Sequence, residues 1–113
     1  MCTNKPLKLV KKITKELKIN HLFKLILTPE ILGAKKPNSI FMKKILSKFK
    51  ITNNEALYIG DSTIDLKLAK KNNIDFYLFY NSNCDIKNNK IRLLKKQKKI
   101  FNNYNLFVKK IIK

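Results

Sequence analysis

Asp61 and Asp65 stand four residues apart, directly after an apolar run that ends in Gly60. That spacing is about one helical turn, so a helix starting at once can lean both carboxylates toward one crevice. Two hard oxygen donors there suit Mg²⁺, which takes one or two carboxylates and shares its other positions with water and phosphate. The same residues also fit a plainer role. An Asp near a helix start caps it, and an Asp in the first turn answers the helix dipole.

The elements that must position this pair are legible around it. Ala56 to Ile59 is apolar and aromatic and predicts a buried strand. Gly60 then permits a sharp turn where a side chain would crowd a bound group. Ser62 or Thr63 can cap the helix that follows, which runs to about Lys71. In an α/β sheet, ligands bind in the crevice outside the carboxyl ends of the strands, where Asp61 falls.

Two other pieces precede this stretch in the chain, Cys2-Thr3-Asn4-Lys5-Pro6 and Lys36-Pro37. Taken in order with Gly60-Asp61-Ser62-Thr63-Ile64-Asp65, they resemble the haloacid dehalogenase-like hydrolase superfamily, in its phosphoglycolate phosphatase-like branch. The resemblance runs from about Cys2 to Asn81. It implies a Rossmann-like, three-layer α/β fold on a parallel sheet, and a Mg²⁺-dependent phosphomonoester hydrolase acting on a small phosphorylated metabolite. It also implies the roles of the residues. Thr3 and Asn4 would hold a phosphoryl oxygen, and Lys36 would neutralise charge on the nucleophile and the transferring group. Asp61 would bind Mg²⁺, with Asp65 binding it directly or through a water. Lys35 is the alternative to Lys36 if the loop is in another register.

The family's first motif, Asp-x-Asp-Gly, supplies the nucleophile, and no Asp-x-Asp occurs in this chain. Without it no aspartyl-phosphate can form on this chain alone. The expectation is therefore a C-terminal portion of such a hydrolase, lacking the N-terminal strands and the cap. Its origin is left open among a fragment, one half of a split enzyme whose partner carries the nucleophile, and a degenerate remnant. The alternative function is a non-catalytic basic module that binds nucleic acid or an acidic partner.

The 113 residues allow one small domain at most. A hydrophobic fraction of 44% is ordinary for a globular chain. No apolar run approaches the ~20 residues of a membrane helix and no signal-peptide core follows Met1, so a cytoplasmic protein without a membrane span is expected. Cys2 and Cys84, far apart, suggest no disulfide framework. Net charge is +19, yet Arg92 is the only arginine. Nucleic-acid sites favour the planar arginine fork, so the lysines read chiefly as AT-rich coding bias on solvated faces, with nucleic acid the lesser alternative.

In order, Met1 to Lys5 predicts a strand end, and Pro6 to about Leu17 an amphipathic helix with Pro6 at its first position. His21 falls in a connection. Phe23 to Leu27 predicts a strand, Thr28 to Lys36 a loop, and a helix carrying Phe41, Ile45 and Phe49 follows, capped by Asn38 or Ser39. Phe76 to Tyr80 predicts a further buried strand and Asn81 to Asn89 a loop. Tyr104, Phe107, Val108, Ile111 and Ile112 follow a helical template. The division expected is a partial hydrolase core over residues 1–81 and a basic helical extension over 82–113.

Overall fold

The computed structural model describes residues 1–111. The chain divides into two units, Met1–Ile51 and the residues from Thr52 onward.

In the first unit, helix α1 spans Leu7–Glu16. Pro6 stays extended at ψ 142° and precedes the helix instead of entering it. Its N-terminus is closed from a distance: the Leu7 N–H donates to both carboxylate oxygens of Glu30 at 3.2 Å. Glu30 lies in α2, a single turn over Pro29–Leu32 where the sequence predicts a loop. Gly33 ends that turn at φ 67°, a left-handed conformation that glycine adopts without steric cost. Helix α3 spans Ser39–Phe49, and of the two expected caps it is Asn38 that serves, its Oδ1 accepting from the Ile40 N–H at 2.9 Å. Val10, Leu27, Leu32, Phe41 and Met42 are the buried apolar side chains of this unit.

The strand predicted over Phe23–Leu27 does not form. A 3₁₀ turn containing His21 occupies Asn20–Leu22, and beyond it only Leu27 makes a parallel bridge, to Cys2. The Leu27 N–H donates to the Met1 carbonyl at 2.9 Å, and the Thr3 N–H to the Leu27 carbonyl at 3.1 Å. A strand is maintained by its ladder, and here the ladder is one bridge long.

The second unit is an α/β layer. It runs β1 (Leu57–Gly60), α4 (Thr63–Lys71), β2 (Asp75–Phe79), α5 (Asn88–Lys96), β3 (Ile100–Phe101) and α6 (Tyr104–Ile111). The strands are parallel in the order β1-β2-β3. Gly60 sits opposite Leu78, and Leu78 opposite Ile100, so the strands end at one rim. Tyr58, Leu66, Leu68, Ala69, Ile74, Phe76 and Leu78 are buried, which joins alternate strand residues to the inner stripe of α4.

Helix α5 and strand β3 lie where the sequence reading has only a loop and a helical extension. Both follow Asn81, and β3 pairs with β2. Helix α6 lays aromatic rings on this edge of the sheet: Phe107 stacks on Phe101 at 4.5 Å, and Tyr104 on Phe79 at 4.5 Å. Its apolar stripe is narrower than the template suggested, since Val108 is exposed. Ile112, the last residue of that template, lies outside the described residues. Among the described residues no helix is long and apolar enough to cross a membrane.

Candidate functional site

The turn after β1 is built around Asp65. Ser62 caps α4, its Oγ accepting from the Asp65 N–H at 3.3 Å, while the same hydroxyl donates to Asp65 Oδ2 at 2.8 Å. The Asp61 N–H also donates to Oδ2, at 3.3 Å, and the Tyr58 hydroxyl donates to Oδ1 at 2.7 Å. Asp65 is only 5% exposed, so both of its oxygens are committed to holding strand, turn and helix together. Asp61 is exposed, by contrast, at the end of β1. Glycine at position 60 is explained by this packing. A Cβ there would stand 2.5 Å from the Asp65 Cβ, so the missing side chain would crowd Asp65.

Two residues that the sequence reading missed grip this turn from the loop after β2. The Asn81 amide donates to Asp61 Oδ2 at 3.2 Å. Asp85 Oδ1 accepts from the Thr63 N–H at 2.7 Å, and the Thr63 hydroxyl donates to the Asp85 carbonyl at 3.2 Å. The Thr63 bond holds the Asp85 carboxyl below its ordinary range. Contacts twenty and more residues apart leave no periodic signal, and an Asp in a polar loop reads as a turn former.

Thr3, Asn4 and Lys36 gather in the first unit. The Asn4 side chain brackets the Lys36 backbone, its Oδ1 accepting from the Lys36 N–H at 2.8 Å and its amide donating to the Lys36 carbonyl at 3.1 Å. Thr3 Oγ1 accepts from the Lys5 N–H at 3.2 Å. Lys36 is half-buried and Lys35 exposed. Asn4 is thus placed to fix the loop that carries Lys36.

The donor set around Asp61 fits Mg²⁺ in its water-rich mode. An exposed carboxylate oxygen with a buried carboxylate behind it matches an ion that keeps several waters. Among the described residues no cluster of three or more His, Cys, Asp or Glu forms, so an all-protein cage is not what this turn offers.

A family model described as haloacid dehalogenase-like hydrolase matches residues 1–79. The chain belongs to this family. Phosphoglycolate phosphatases are among its curated relatives. That of Aliivibrio fischeri is 30% identical over 70 residues, which are 62% of this chain and 31% of the relative. That of Pseudomonas putida is also 30% identical over 70 residues, 26% of its length. A crystal structure of a predicted phosphoglycolate phosphatase from Haemophilus somnus superposes with a TM-score of 0.77 at 26% identity, covering 96% of this chain and 47% of that one. A haloacid dehalogenase-superfamily hydrolase from Geobacter sulfurreducens superposes with a TM-score of 0.62 at 26% identity, over 68% of this chain and 39% of that one. The chain therefore spans less than half the length of each of these relatives. Within the haloacid dehalogenase-like match lie all five residues singled out from the sequence, Thr3, Asn4, Lys36, Asp61 and Asp65.

Proposed function

We propose that this chain supplies the metal-binding and lysine-bearing part of a Mg²⁺-dependent, phosphoglycolate phosphatase-like phosphomonoester hydrolase, acting in the cytoplasm on a small phosphorylated metabolite. The observation that carries the reading is the turn at the end of β1, which leaves Asp61 exposed while Asp65 is locked beneath it. Asp61 would hold the ion, with Asp65, whose oxygens fix the turn, binding it through a water or directly by giving up one of those bonds. When bound, the ion supplies charge neutralisation at phosphoryl oxygens.

The remaining work falls to side chains of this chain and to one group that it does not encode. Thr3, with neighbouring backbone N–H groups, holds a phosphoryl oxygen. Lys36, its loop fixed by Asn4, neutralises charge that develops during transfer. The nucleophilic Asp comes from a separate segment carrying Asp-x-Asp-Gly. Among the described residues β1 pairs only with β2, which leaves its other backbone edge without a ladder, and on one face of the sheet Leu57 and Ile59 are 41% and 40% exposed. An unpaired apolar strand edge of that kind accepts a further strand. The test is to supply such a segment and measure phosphate release from small phosphomonoesters with and without Mg²⁺. Turnover that needs the segment, the ion and Asp61 supports the reading; association without turnover favours a degenerate remnant.

A further inference from the structure

A second concavity opens on the same rim of the sheet, away from β1. It has a volume of about 490 Å³ and lies between α5 and the ends of β2 and β3. Asn88, Arg92 and Lys95 of α5 line it, spaced four and three residues apart and hence on one helical face. Tyr80 and Asn102 enter from the residues that follow β2 and β3, and Ile100 and Phe101 of β3 complete the lining. Its size falls in the range of small-molecule sites, and its place at the carboxyl ends of parallel strands is where α/β sheets bind ligands.

Charge defines what would enter. No Asp or Glu lines the cavity, and none occurs in the sequence after Asp85. Neither Arg92 nor Lys95 is paired with a carboxylate among the described residues. Arg92 is also the one arginine in a chain with 26 Lys+Arg, and a guanidinium differs from an ammonium in offering a planar two-point fork to an oxyanion. The exposed Tyr80 in the same lining offers a flat apolar ring, while the ring of Phe101 is packed on Phe107.

We propose that this cavity binds a small oxyanion carrying a flat apolar body, such as an aromatic phosphate, phosphonate or carboxylate. Arg92 takes the oxyanion as a two-point donor with Lys95 beside it. The Asn88 and Asn102 amides add hydrogen bonds, and Tyr80 covers the body. The site is independent of Asp61 and of the hydrolase reading.

The test uses the full chain and phenylphosphonate, a phosphonate that cannot be hydrolysed as an ester, followed by backbone and arginine side-chain amide NMR at near-physiological salt. Saturable shifts are expected at Asn88, Arg92 and Asn102, unchanged in Asp61→Ala. Methylphosphonate, which lacks the ring, should bind about tenfold more weakly. Arg92→Gln should weaken phenylphosphonate about tenfold, and Arg92→Lys should recover only part of the loss. The exposed Lys67→Gln on α4 is the control for general attraction to a cationic chain. Equal losses in Arg92→Gln and Lys67→Gln overturn the proposal. So do shifts that vanish in Asp61→Ala, or equal binding of the two phosphonates.

Discussion

Asp65 is folded back against Gly60, so closely that a methyl group on Gly60 would stand 2.5 Å from the Asp65 Cβ and 2.7 Å from its Oδ2. Position 60 has no side chain because the Asp65 side chain, five residues on, occupies that space. The pairing also shows how an acidic residue is kept in a nearly dry position: Tyr58, Ser62 and the Asp61 N–H all donate to it.

Gly60→Ala should therefore act through Asp65. The crowding is expected to cost about 1–3 kcal/mol in urea unfolding, the usual range for an overpacked site. In an Asp65→Gly background, where the crowded atoms are gone, the same substitution should cost much less. Equal costs in both backgrounds would show that the glycine answers some other need.

Tyr58→Phe removes one donor from Asp65 and keeps the ring on Phe76, whose centroid lies 6.0 Å away. A hydrogen bond to a charged group is worth about 1.5–3 kcal/mol, and a loss in that range is expected from equilibrium unfolding. A change within about 0.5 kcal/mol, the size of an ordinary surface substitution, would contradict the role given to the Tyr58 hydroxyl.

The clamp between Asp85 and Thr63 predicts a pH dependence. The Thr63 N–H lowers the Asp85 pKa in the folded chain, so the unfolded chain binds the proton more readily. The clamp's stabilisation is then fully present above the ordinary Asp value of 3.8 and is lost as pH falls below it, through the folded value. Asp85→Asn keeps an acceptor and loses the charge, so its unfolding midpoint should fall less steeply with acidification over that window. Parallel slopes for the two proteins would remove Asp85 from the account.

Much of this was legible beforehand, for physical reasons that differ by element. The apolar run before Gly60 and the cap at Ser62 are local signals, and β1 and α4 formed where they predict. Asn38 or Ser39 marked the start of α3 in the same way, and Asn38 is the cap that forms. Strand β3 is only Ile100–Phe101, too short to show any period, and its pairing partner lies more than twenty residues away. Phe23 to Leu27 carries strand-forming residues, but propensity without a ladder did not make a strand. At the site, the acidic pair was visible through its spacing. That one member is exposed and the other a buried hub depends on Tyr58, which alternation alone marks only as an inward residue. Asn81 and Asp85 reach the turn by long-range contact and were invisible.

The most direct test is phosphate release by this chain mixed with a polypeptide that carries Asp-x-Asp-Gly and the strand it ends. Alone, the chain should show no Mg²⁺-dependent turnover, because it encodes no such nucleophile. In the mixture turnover should appear with Mg²⁺ and vanish on chelation. Asp61→Ala should abolish it, and Lys36→Ala should reduce it about a hundredfold or more. Thr3→Ala should be milder, since backbone N–H groups remain, and Lys35→Ala nearly silent. Turnover by the chain alone that Asp61→Ala removes would contradict the account, and so would a mixture that associates and binds Mg²⁺ yet releases no phosphate.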